Sequence, residues 1–464
     1  MRGFAIWLVI GFLTTNEISA AEPLRPHIVL IVADDLRADI LEVYGGPVAT
    51  PHLKQLVDRG VRFSRATCGY PICHVSRTEL MTGRSVVKEA AGGKAIPFAA
   101  DWAIWPQVMQ EAGWRTVHAG KWHVAGTPWT RGYQETSGLY SSGGAPGQPL
   151  THPLSATGRP VTGYTGWTFK TPENRPLPEL GIGLTPQTDS LIADAAIATI
   201  QDHSAQQPLF LSVNFTAPHD PLHWPAGTAP TADPTTIALP GNFRSEHPFD
   251  HGILHGRDEM IVPAPRTRAD VQQERAVYDA LAAQVDELVG RIVAALKDRN
   301  MLEETWIIFT SDQGMAVGSH GLMGKQNQYE HTANVPLILA GPGITHRGNI
   351  AAQCALRDLF PTVCELTGRP IPASVQGRSL IPLLQEEQRD IHPAIYGYFT
   401  DTQRMIRTND SWKLIVYPQI NRQQLFNLNQ DPEELHDLST DPTQQDRLQS
   451  LKRQLDDWLA EQGS

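Results

Sequence analysis

Residues 27–35 read His-Ile-Val-Leu-Ile-Val-Ala-Asp-Asp, and residues 306–314 read Trp-Ile-Ile-Phe-Thr-Ser-Asp-Gln-Gly. Each stretch is a short apolar run that ends in acidic side chains. Such runs are typical of strands that are buried on both faces, as in parallel sheets. Because ligands of open α/β sheets gather at the carboxyl ends of strands, we expect both acidic ends to contribute to one site.

The same pattern continues along the chain and indicates the fold class. Two further apolar runs lie at 209–215 and 335–339, and helical patterns separate the runs. Thr50 and Pro51 would supply the N-cap and first-turn proline of one helix. A longer helix is predicted from the apolar stripe over 277–295. Strands that alternate with helices predict an α/β fold whose sheet is covered on both faces.

The pattern changes after about Gly377, where short alternating stretches predict a small antiparallel sheet. Asp441 and Pro442 begin a last segment whose apolar residues lie on one face of a helix. We therefore divide the mature chain into residues 22–377, the expected catalytic domain, and a smaller C-terminal domain, 378–464, of antiparallel sheet plus helix.

Two long stretches of the first domain carry the composition of loops. Residues 126–186 are rich in Gly, Pro, Thr and Ser, and residues 240–265 are rich in His. Loops of this length commonly shape a binding site, so we expect both to lie over the first domain.

Composition excludes several classes of protein. The chain has 464 residues, of which 49 are acidic and 38 are Lys or Arg, for a net charge of -11. It has no basic run that could follow a phosphate backbone, so nucleic-acid binding is not expected. Four cysteines are too few for a disulfide scaffold, and no C-x-x-C motif indicates zinc. Cys354 and Cys364 bracket one helical stretch, and the sequence leaves open whether they form a disulfide.

The N-terminus has the features of a secretory signal peptide over residues 1–21. Arg2 precedes an apolar run over 4–13, and Ser19-Ala20-Ala21 places small residues at the cleavage positions. The run is too short to span a bilayer. A buried N-terminal strand or a membrane anchor is the alternative. We expect a secreted or periplasmic protein that has no membrane association after cleavage.

The acidic strand ends predict a metal site. If the two strands are parallel neighbours, Asp34, Asp35 and Asp312 converge with the amide oxygen of Gln313, and their mutual repulsion calls for a cation. Oxygen ligands without a His/Cys group favour Ca²⁺, or Mg²⁺ as second choice, over zinc. The alternative is that the aspartates cap a helix and close a turn.

The segment Pro71–Arg84 carries the most specific motif. It reads Pro-Ile-Cys-His-Val-Ser-Arg-Thr-Glu-Leu-Met-Thr-Gly-Arg. It resembles the signature of the type I sulfatases, in which a cysteine that is followed after three residues by an arginine is oxidised to formylglycine, and a Leu-Thr-Gly-Arg-like ending closes the motif. The matching residues here are Cys73, Ser76, Arg77 and the closing Thr82-Gly83-Arg84.

Further segments resemble the same family, in the family's order, over nearly the whole mature chain. They are Asp34-Asp35, Gly120-Lys121-Trp122-His123, Pro218-His219-Asp220-Pro221, Ser311-Asp312-Gln313-Gly314 followed by Lys325, and the C-terminal Gln424-Leu425-Phe426-Asn427-Leu428.

The resemblance implies a fold, a cofactor and a reaction. The fold is alkaline phosphatase-like: a large mixed, mostly parallel sheet flanked by helices. The reaction is hydrolysis of a sulfate ester, expected on a sulfated carbohydrate. The implied cofactors are formylglycine, made from Cys73 by a formylglycine-generating maturation enzyme, and calcium. The implied metal ligands are Asp34, Asp35, Cys73, Asp312 and Gln313.

The resemblance also implies roles for the other site residues. Arg77 and Lys121 would hold the formylglycine diol and the metal in place. His123 would take the proton that releases sulfate from the covalent intermediate, His219 would protonate the departing sugar oxygen, and Lys325 would bind a sulfate oxygen.

Two positions depart from the family pattern, and two alternative functions stay open. Val75 stands where Pro or Ala is usual, which motivates a carbohydrate-binding pseudosulfatase that turns nothing over. Gln313 stands where Asn or His is frequent, and its carbonyl oxygen can still bind a metal. A phosphonate or phosphate ester hydrolase of the same superfamily is the second enzymatic alternative.

Overall fold

The computed structural model describes residues 25–90, 96–204, 206–228 and 233–462. The predicted signal peptide at residues 1–21 lies outside these ranges. Within them, no helix is both long and apolar enough to cross a membrane.

A large mixed sheet forms the centre of the molecule, in the order β10-β2-β9-β8-β1-β7-β3-β4-β5-β6, with β11 also paired to β2. Its strands are β1 His27–Ala33, β2 Gly60–Thr67, β3 Arg115–Lys121, β4 Glu135–Ser141, β5 Thr168–Lys170, β6 Pro176–Leu177, β7 Leu209–Asn214, β8 Thr305–Ser311, β9 Asn334–Ala340, β10 Gly348–Ile350 and β11 Cys354–Ala355.

Helices cover both faces of this sheet. The α-helices of the described residues are α1 Pro51–Arg59, α2 Cys73–Thr82, α3 Val87–Ala90, α4 Trp105–Glu111, α5 Thr188–Gln201, α6 Arg268–Asp298, α7 Glu330–Ala333, α8 Leu359–Leu366, α9 Ile381–Leu384 and α10 Gln445–Gln462. Side chains of β1 alternate between two cores: Val29 and Ile31 pack in the core that holds α5 and α6, and Ile28 and Leu30 pack in the core that holds α4 and α8. This two-sided burial explains the unbroken apolar run of the strand.

Strand β1 is central, and its neighbours bring the acidic ends together. It pairs in parallel with β7 on one side and with β8 on the other, and Ala33 lies opposite Ser311. The carboxyl ends of β1 and β8 therefore meet at one edge of the sheet. Strand β9 runs antiparallel to β8 and β2, which makes the sheet mixed, as the family resemblance implied.

The expectation of a continuous loop over 126–186 was partly wrong. This stretch contributes β4, which pairs in parallel with β3, and then β5 and β6. The sequence of β4, Glu-Thr-Ser-Gly-Leu-Tyr-Ser, has no apolar run, and Gly138 inside it takes a φ of 58°. The expectation of a long loop over 240–265 agrees with the structure. Among its described residues, the only helical segment is the 3₁₀ turn Glu259–Ile261.

The C-terminal sheet and helix agree with the prediction. Strands β12 Ala394–Phe399, β13 Gln403–Thr408, β14 Trp412–Tyr417 and β15 Arg422–Asn427 form an antiparallel sheet in chain order. Helix α10 buries Leu448, Leu451 and Leu455 in the core that it shares with this sheet. Buried ion pairs attach the sheet to the rest of the molecule, because Glu330 of α7 contacts Arg407 at 2.7 Å and Lys413 at 2.8 Å.

Two local expectations need correction. Thr50 precedes α1, but its side chain makes no capping hydrogen bond. The carboxylate of Asp286 on α6 accepts from the backbone N–H groups of His52 and Leu53 instead, at 3.1 and 2.7 Å. Cys354 and Cys364, for which a disulfide stayed open, are free and buried.

Candidate active site

The ends of β1 and β8 place Asp34, Asp35, Asp312 and Gln313 in one fully buried group. The backbone N–H of Asp35 donates to Asp312 Oδ1 at 3.1 Å, and the Gln313 Nε2 donates to Asp35 Oδ1 at 2.5 Å. The first helical turn after β1 begins beyond Arg37 and has no side-chain cap. The aspartates therefore do not cap a helix, and the predicted convergence is what the structure shows.

Helix α2 presents its first residue, Cys73, to this group. Gln313 Nε2 donates to the sulfur at 3.1 Å, and Cys73 is 2% exposed. One turn further along the helix, Arg77 Nε donates to Asp312 Oδ2 at 2.8 Å, and its Nη2 lies 3.6 Å from Asp34 Oδ1. The cysteine and the arginine of the motif thus face the carboxylates from the same side of the helix.

Lys121 is the last residue of β3, and His123 follows it. The buried Lys121 ammonium forms an ion pair with Asp34 Oδ2. His123 is half-buried, packs edge-on against Trp167, and lines a cavity together with Arg77 and Lys121. Burial, reinforced by the Lys121 charge, lowers the pKa of His123 well below its usual value, so its imidazole is neutral at pH 7.

His219 and Lys325 close the group from two loops. Lys325 Nζ lies 2.8 Å from Asp35 Oδ2 and 2.6 Å from His219 Nε2. His219 Nδ1 lies 2.5 Å from the carbonyl oxygen of Asp220, so Nδ1 carries a proton and Nε2 is the nitrogen that faces the site. Both residues are buried.

The carboxylate and amide oxygens of the site fit a hard cation, and the softer ligands Cys73 and His219 lie beside them. Potential ligand atoms of Asp34, Asp35, Cys73 and His219 all lie within 4.8 Å of one another. Asp312 is not in this set, and its oxygens accept from Arg77 and from two backbone N–H groups. Within the described part of the chain, Asp34 Oδ1 and Gln313 Oε1 are buried without a hydrogen-bond partner. Buried oxygens without partners are costly, and a cation would satisfy both.

The charges of the site support the same conclusion. Although burial opposes ionisation, Lys121, His219 and Arg77 hold the pKa of Asp34 well below its usual range. Burial raises the pKa of Asp312 to about 7, against the opposing effect of Arg77. At neutral pH Asp34 is therefore ionised, whereas Asp312 is partly protonated, and additional positive charge nearby would favour its carboxylate form.

Some residues of the site carried no sequence signal for their role. The Tyr164 hydroxyl donates to Asp34 Oδ2 at 2.5 Å. Asn214, at the end of β7, accepts from Arg77 Nη1 at 2.8 Å. Asp220 was visible only as the variable position of the Pro-His-x-Pro segment. It lies 3.1 Å from His219 Nδ1 and forms an ion pair with Arg257.

Five other histidines, to which the family resemblance gives no role, lie in separate places. His74 lies near the site, with its ring 5.7 Å from that of His123. His223 packs against His152. His247, His320 and His331 are buried in a different region, where His320 stacks on Tyr329.

Comparisons with known proteins identify the family. The Sulfatase family model matches residues 26–369, more than half of the chain, and the model "N-sulphoglucosamine sulphohydrolase, C-terminal" matches residues 318–461. Arylsulfatase K of Gallus gallus is 26% identical over 443 residues, which cover 89% of this chain and 78% of the relative.

Two solved structures share the fold. BT4656, solved in complex with its substrate D-glucosamine-2-N,6-O-disulfate, superimposes with a TM-score of 0.75 at 22% identity, over 93% of this chain and 97% of the other. A phosphonate monoester hydrolase from Silicibacter pomeroyi gives a TM-score of 0.74 at 22% identity, over 92% and 94%. The matched family model, the ordered motifs and the shared fold agree. The chain belongs to the sulfatase family, within the alkaline phosphatase superfamily, and is a sulfatase.

Proposed function

We propose that this sulfatase hydrolyses a sulfate ester on a sulfated carbohydrate, with Cys73 matured to formylglycine and with one calcium ion. The observation that carries the proposal is the position of Cys73. Its sulfur lies at the start of α2, within 4.8 Å of ligand atoms of Asp34 and Asp35. Cys73 also belongs to the segment Pro71–Arg84, which resembles the family signature.

The unmodified thiol is poorly suited to be the nucleophile. Burial and the Asp34 carboxylate raise the pKa of Cys73, so the thiol stays protonated at neutral pH. The aldehyde hydrate of formylglycine supplies the attacking oxygen and a second hydroxyl for release of sulfate. This chemistry removes the need for a thiolate.

We assign the calcium site to Asp34, Asp35, Asp312, Gln313 and the matured Cys73. The ion supplies positive charge to the sulfate group. The partnerless oxygens of Asp34 and Gln313 support this assignment.

The cationic side chains receive and orient the anionic ester. Arg77, held by Asp312 and Asn214, and Lys121, held by Asp34, fix the matured residue. Lys325 binds a sulfate oxygen. These three positive charges balance the three aspartates, so the metal makes the pocket net positive in an acidic protein.

Two histidines handle protons. His123, whose pKa is lowered, is the base that takes the proton when sulfate is released, and its Nδ1 has no partner among the described residues. His219 carries one proton on Nδ1. Although burial and Lys325 oppose it, Asp35 and Asp220 raise the pKa of His219 well above its usual value, so Nε2 carries a second proton, which it donates to the leaving sugar oxygen.

The carbohydrate part of the proposal rests on the relatives. BT4656 was solved with a sulfated glucosamine as its substrate, and it superimposes over 93% of this chain. A secreted or periplasmic location, proposed from the N-terminal segment, would give access to polysaccharide fragments.

The test measures product and maturation together. Protein from a host with a formylglycine-generating enzyme is incubated with desalted sulfated oligosaccharides of several polysaccharide classes, and released sulfate is quantified. Mass spectrometry of the tryptic peptide Ala66–Arg77 gives the aldehyde fraction, which should follow specific activity. Fully active protein with only unmodified cysteine would exclude formylglycine, and converted protein that releases no sulfate from any class would exclude the carbohydrate substrate.

A phosphonate or phosphate ester hydrolase is the second candidate, because the Silicibacter pomeroyi hydrolase shares the fold. An aryl phosphonate and an aryl phosphate diester are therefore assayed beside an aryl sulfate. Higher kcat/KM on either phosphorus ester would favour this candidate.

A further inference from the structure

Tyr164 contacts the candidate metal site from a loop in which no motif was found. It lies between β4 and β5 and is 9% exposed. Its hydroxyl donates to Asp34 Oδ2 at 2.5 Å. A buried tyrosine hydroxyl usually forms a hydrogen bond. The acceptor here is a carboxylate at the centre of the candidate site.

The position of this hydrogen bond fixes the rotation of the Asp34 carboxylate. Lys121 and Tyr164 both bind Oδ2. Oδ1 is left buried without a hydrogen bond to any described residue, and Arg77 Nη2 is 3.6 Å from it. The two donors therefore hold one oxygen and leave the other free for a cation.

The ring of Tyr164 also contacts residues of the candidate site. It meets the His219 ring edge-on at 4.8 Å, packs on Trp167 at 4.8 Å, and lies 5.2 Å from Lys121 Nζ. Its backbone has a φ of 56°, in the left-handed region that bulky residues rarely adopt. The surrounding loop thus holds an unfavourable backbone conformation that directs this side chain to Asp34.

We propose that Tyr164 is a positioning residue for the metal: its hydroxyl orients Asp34 so that Oδ1 faces the ion. The inference rests on the calcium site of the proposed function. Side chains that hydrogen-bond to metal ligands in this way set ligand orientation, and their removal weakens metal affinity.

Tyr140 provides a matched control. It is buried in the same aromatic cluster, with its ring 6.1 Å from that of Tyr164, and it also contacts Trp167. Its hydroxyl has no hydrogen-bond partner in the described parts of the chain. Tyr140→Phe therefore removes a buried hydroxyl from the same cluster without removing a bond to Asp34.

The experiment titrates calcium into the chelator-treated full mature protein by isothermal titration calorimetry. Tyr164→Phe should weaken calcium binding about tenfold or more, and Tyr140→Phe should change it less than about twofold. Melting temperatures in chelator and in excess calcium give the second readout. A positioning role makes Tyr164→Phe melt lower than the wild type in excess calcium but not in chelator, because the contribution RT ln(1 + [Ca²⁺]/Kd) vanishes without the ion. A packing defect lowers both values equally.

The outcomes separate this inference from the proposed function. If the wild type binds no calcium, the proposed metal is wrong and the inference falls with it. If the wild type binds calcium and Tyr164→Phe binds it equally well, or if Tyr140→Phe loses as much affinity, the positioning role is wrong and the calcium site stands.

Discussion

His219 is the residue at which the orientation of one side chain would decide a step of the proposed reaction. Its Nδ1 is fixed by the Asp220 carbonyl, so Nε2 is directed toward Lys325 and the site. A proton from Nε2 matters only when the leaving oxygen is a poor leaving group.

We therefore expect His219→Ala to separate two substrate types. Hydrolysis of an alkyl (sugar) sulfate should fall by about 10²-fold or more, and hydrolysis of an aryl sulfate with an acidic phenol by less than about tenfold. Steady-state kcat/KM on both substrates measures the difference. Equal losses on the two would remove His219 from the role of acid.

At this scale the sequence predicted the residues that the structure brings together at the candidate site, but not the residues that hold them in place. Cys73, Arg77, Lys121 and the aspartates were found because they belong to short motifs. Tyr164 was not, because its contact with Asp34 spans 130 residues and depends on the path of a loop that no local pattern encodes. Supporting contacts between distant segments are set by tertiary structure, and local periodicity carries no trace of them.

Among the elements, the segment Gly256–Ile261 supports the active site from outside. Arg257 binds the Asp220 carboxylate with two N–H groups and also pairs with Asp258. Glu259 accepts from the backbone N–H groups of Met323 and Gly324, next to Lys325. This one segment therefore anchors the loops of both His219 and Lys325.

Replacing Arg257 should loosen His219 without removing it. We expect Arg257→Gln to lower kcat on an alkyl sulfate by about tenfold and on an activated aryl sulfate by less than about threefold. Arg244→Gln, at an exposed arginine of the same 240–265 stretch, is the control and should change neither rate. A uniform loss on both substrates would indicate general damage to the loop instead.

The ends of β1 and β8 should depend on the proposed metal for their stability. Chelation should abolish activity and lower the melting temperature, since a ligand at a hundred times its Kd contributes about 2.7 kcal/mol to folding. Added Ca²⁺ should restore both, which differential scanning calorimetry and a sulfate-release assay can follow. Elemental analysis that finds zinc, or active protein without metal, would contradict this prediction.

Across the whole molecule, a group of buried histidines lies where the 240–265 stretch and the segment before β9 meet the C-terminal sheet. Burial lowers the pKa of His247 to about 4 and that of His251 and His320 to about 3. Because these values are below the usual 6.5, folding opposes protonation. The stability from this group is complete above pH 6.5 and declines as pH falls toward 4.

At pH 5.0 each such histidine should cost about 2 kcal/mol relative to pH 7.5, by the linkage between pKa and stability. Urea unfolding at the two pH values measures the change in the free energy of unfolding. His251→Gln removes one titrating group and should reduce the difference. An equal pH dependence of the free energy of unfolding in the wild type and in His251→Gln would show that His251 does not titrate as a buried group.

The architecture was more predictable than its details. Strands such as β1 and β8 are buried on both faces, so their apolar runs reveal them without any tertiary information. Strand β4 is polar and pairs through its backbone between β3 and β5, so its sequence resembles a loop. The antiparallel direction of β9 was equally invisible, because an apolar run fixes burial and not direction.

The burial of Cys73 has a consequence for the order of events in biosynthesis. In the folded chain this cysteine is 2% exposed, and Val75, Ser76 and Arg77 beside it are also buried. An enzyme that oxidises the cysteine must hold this peptide in its own cleft, which the folded protein does not allow. The proposed conversion therefore has to be completed on the nascent or unfolded chain. Competence would be determined during synthesis, and molecules that fold first would remain inactive for their lifetime.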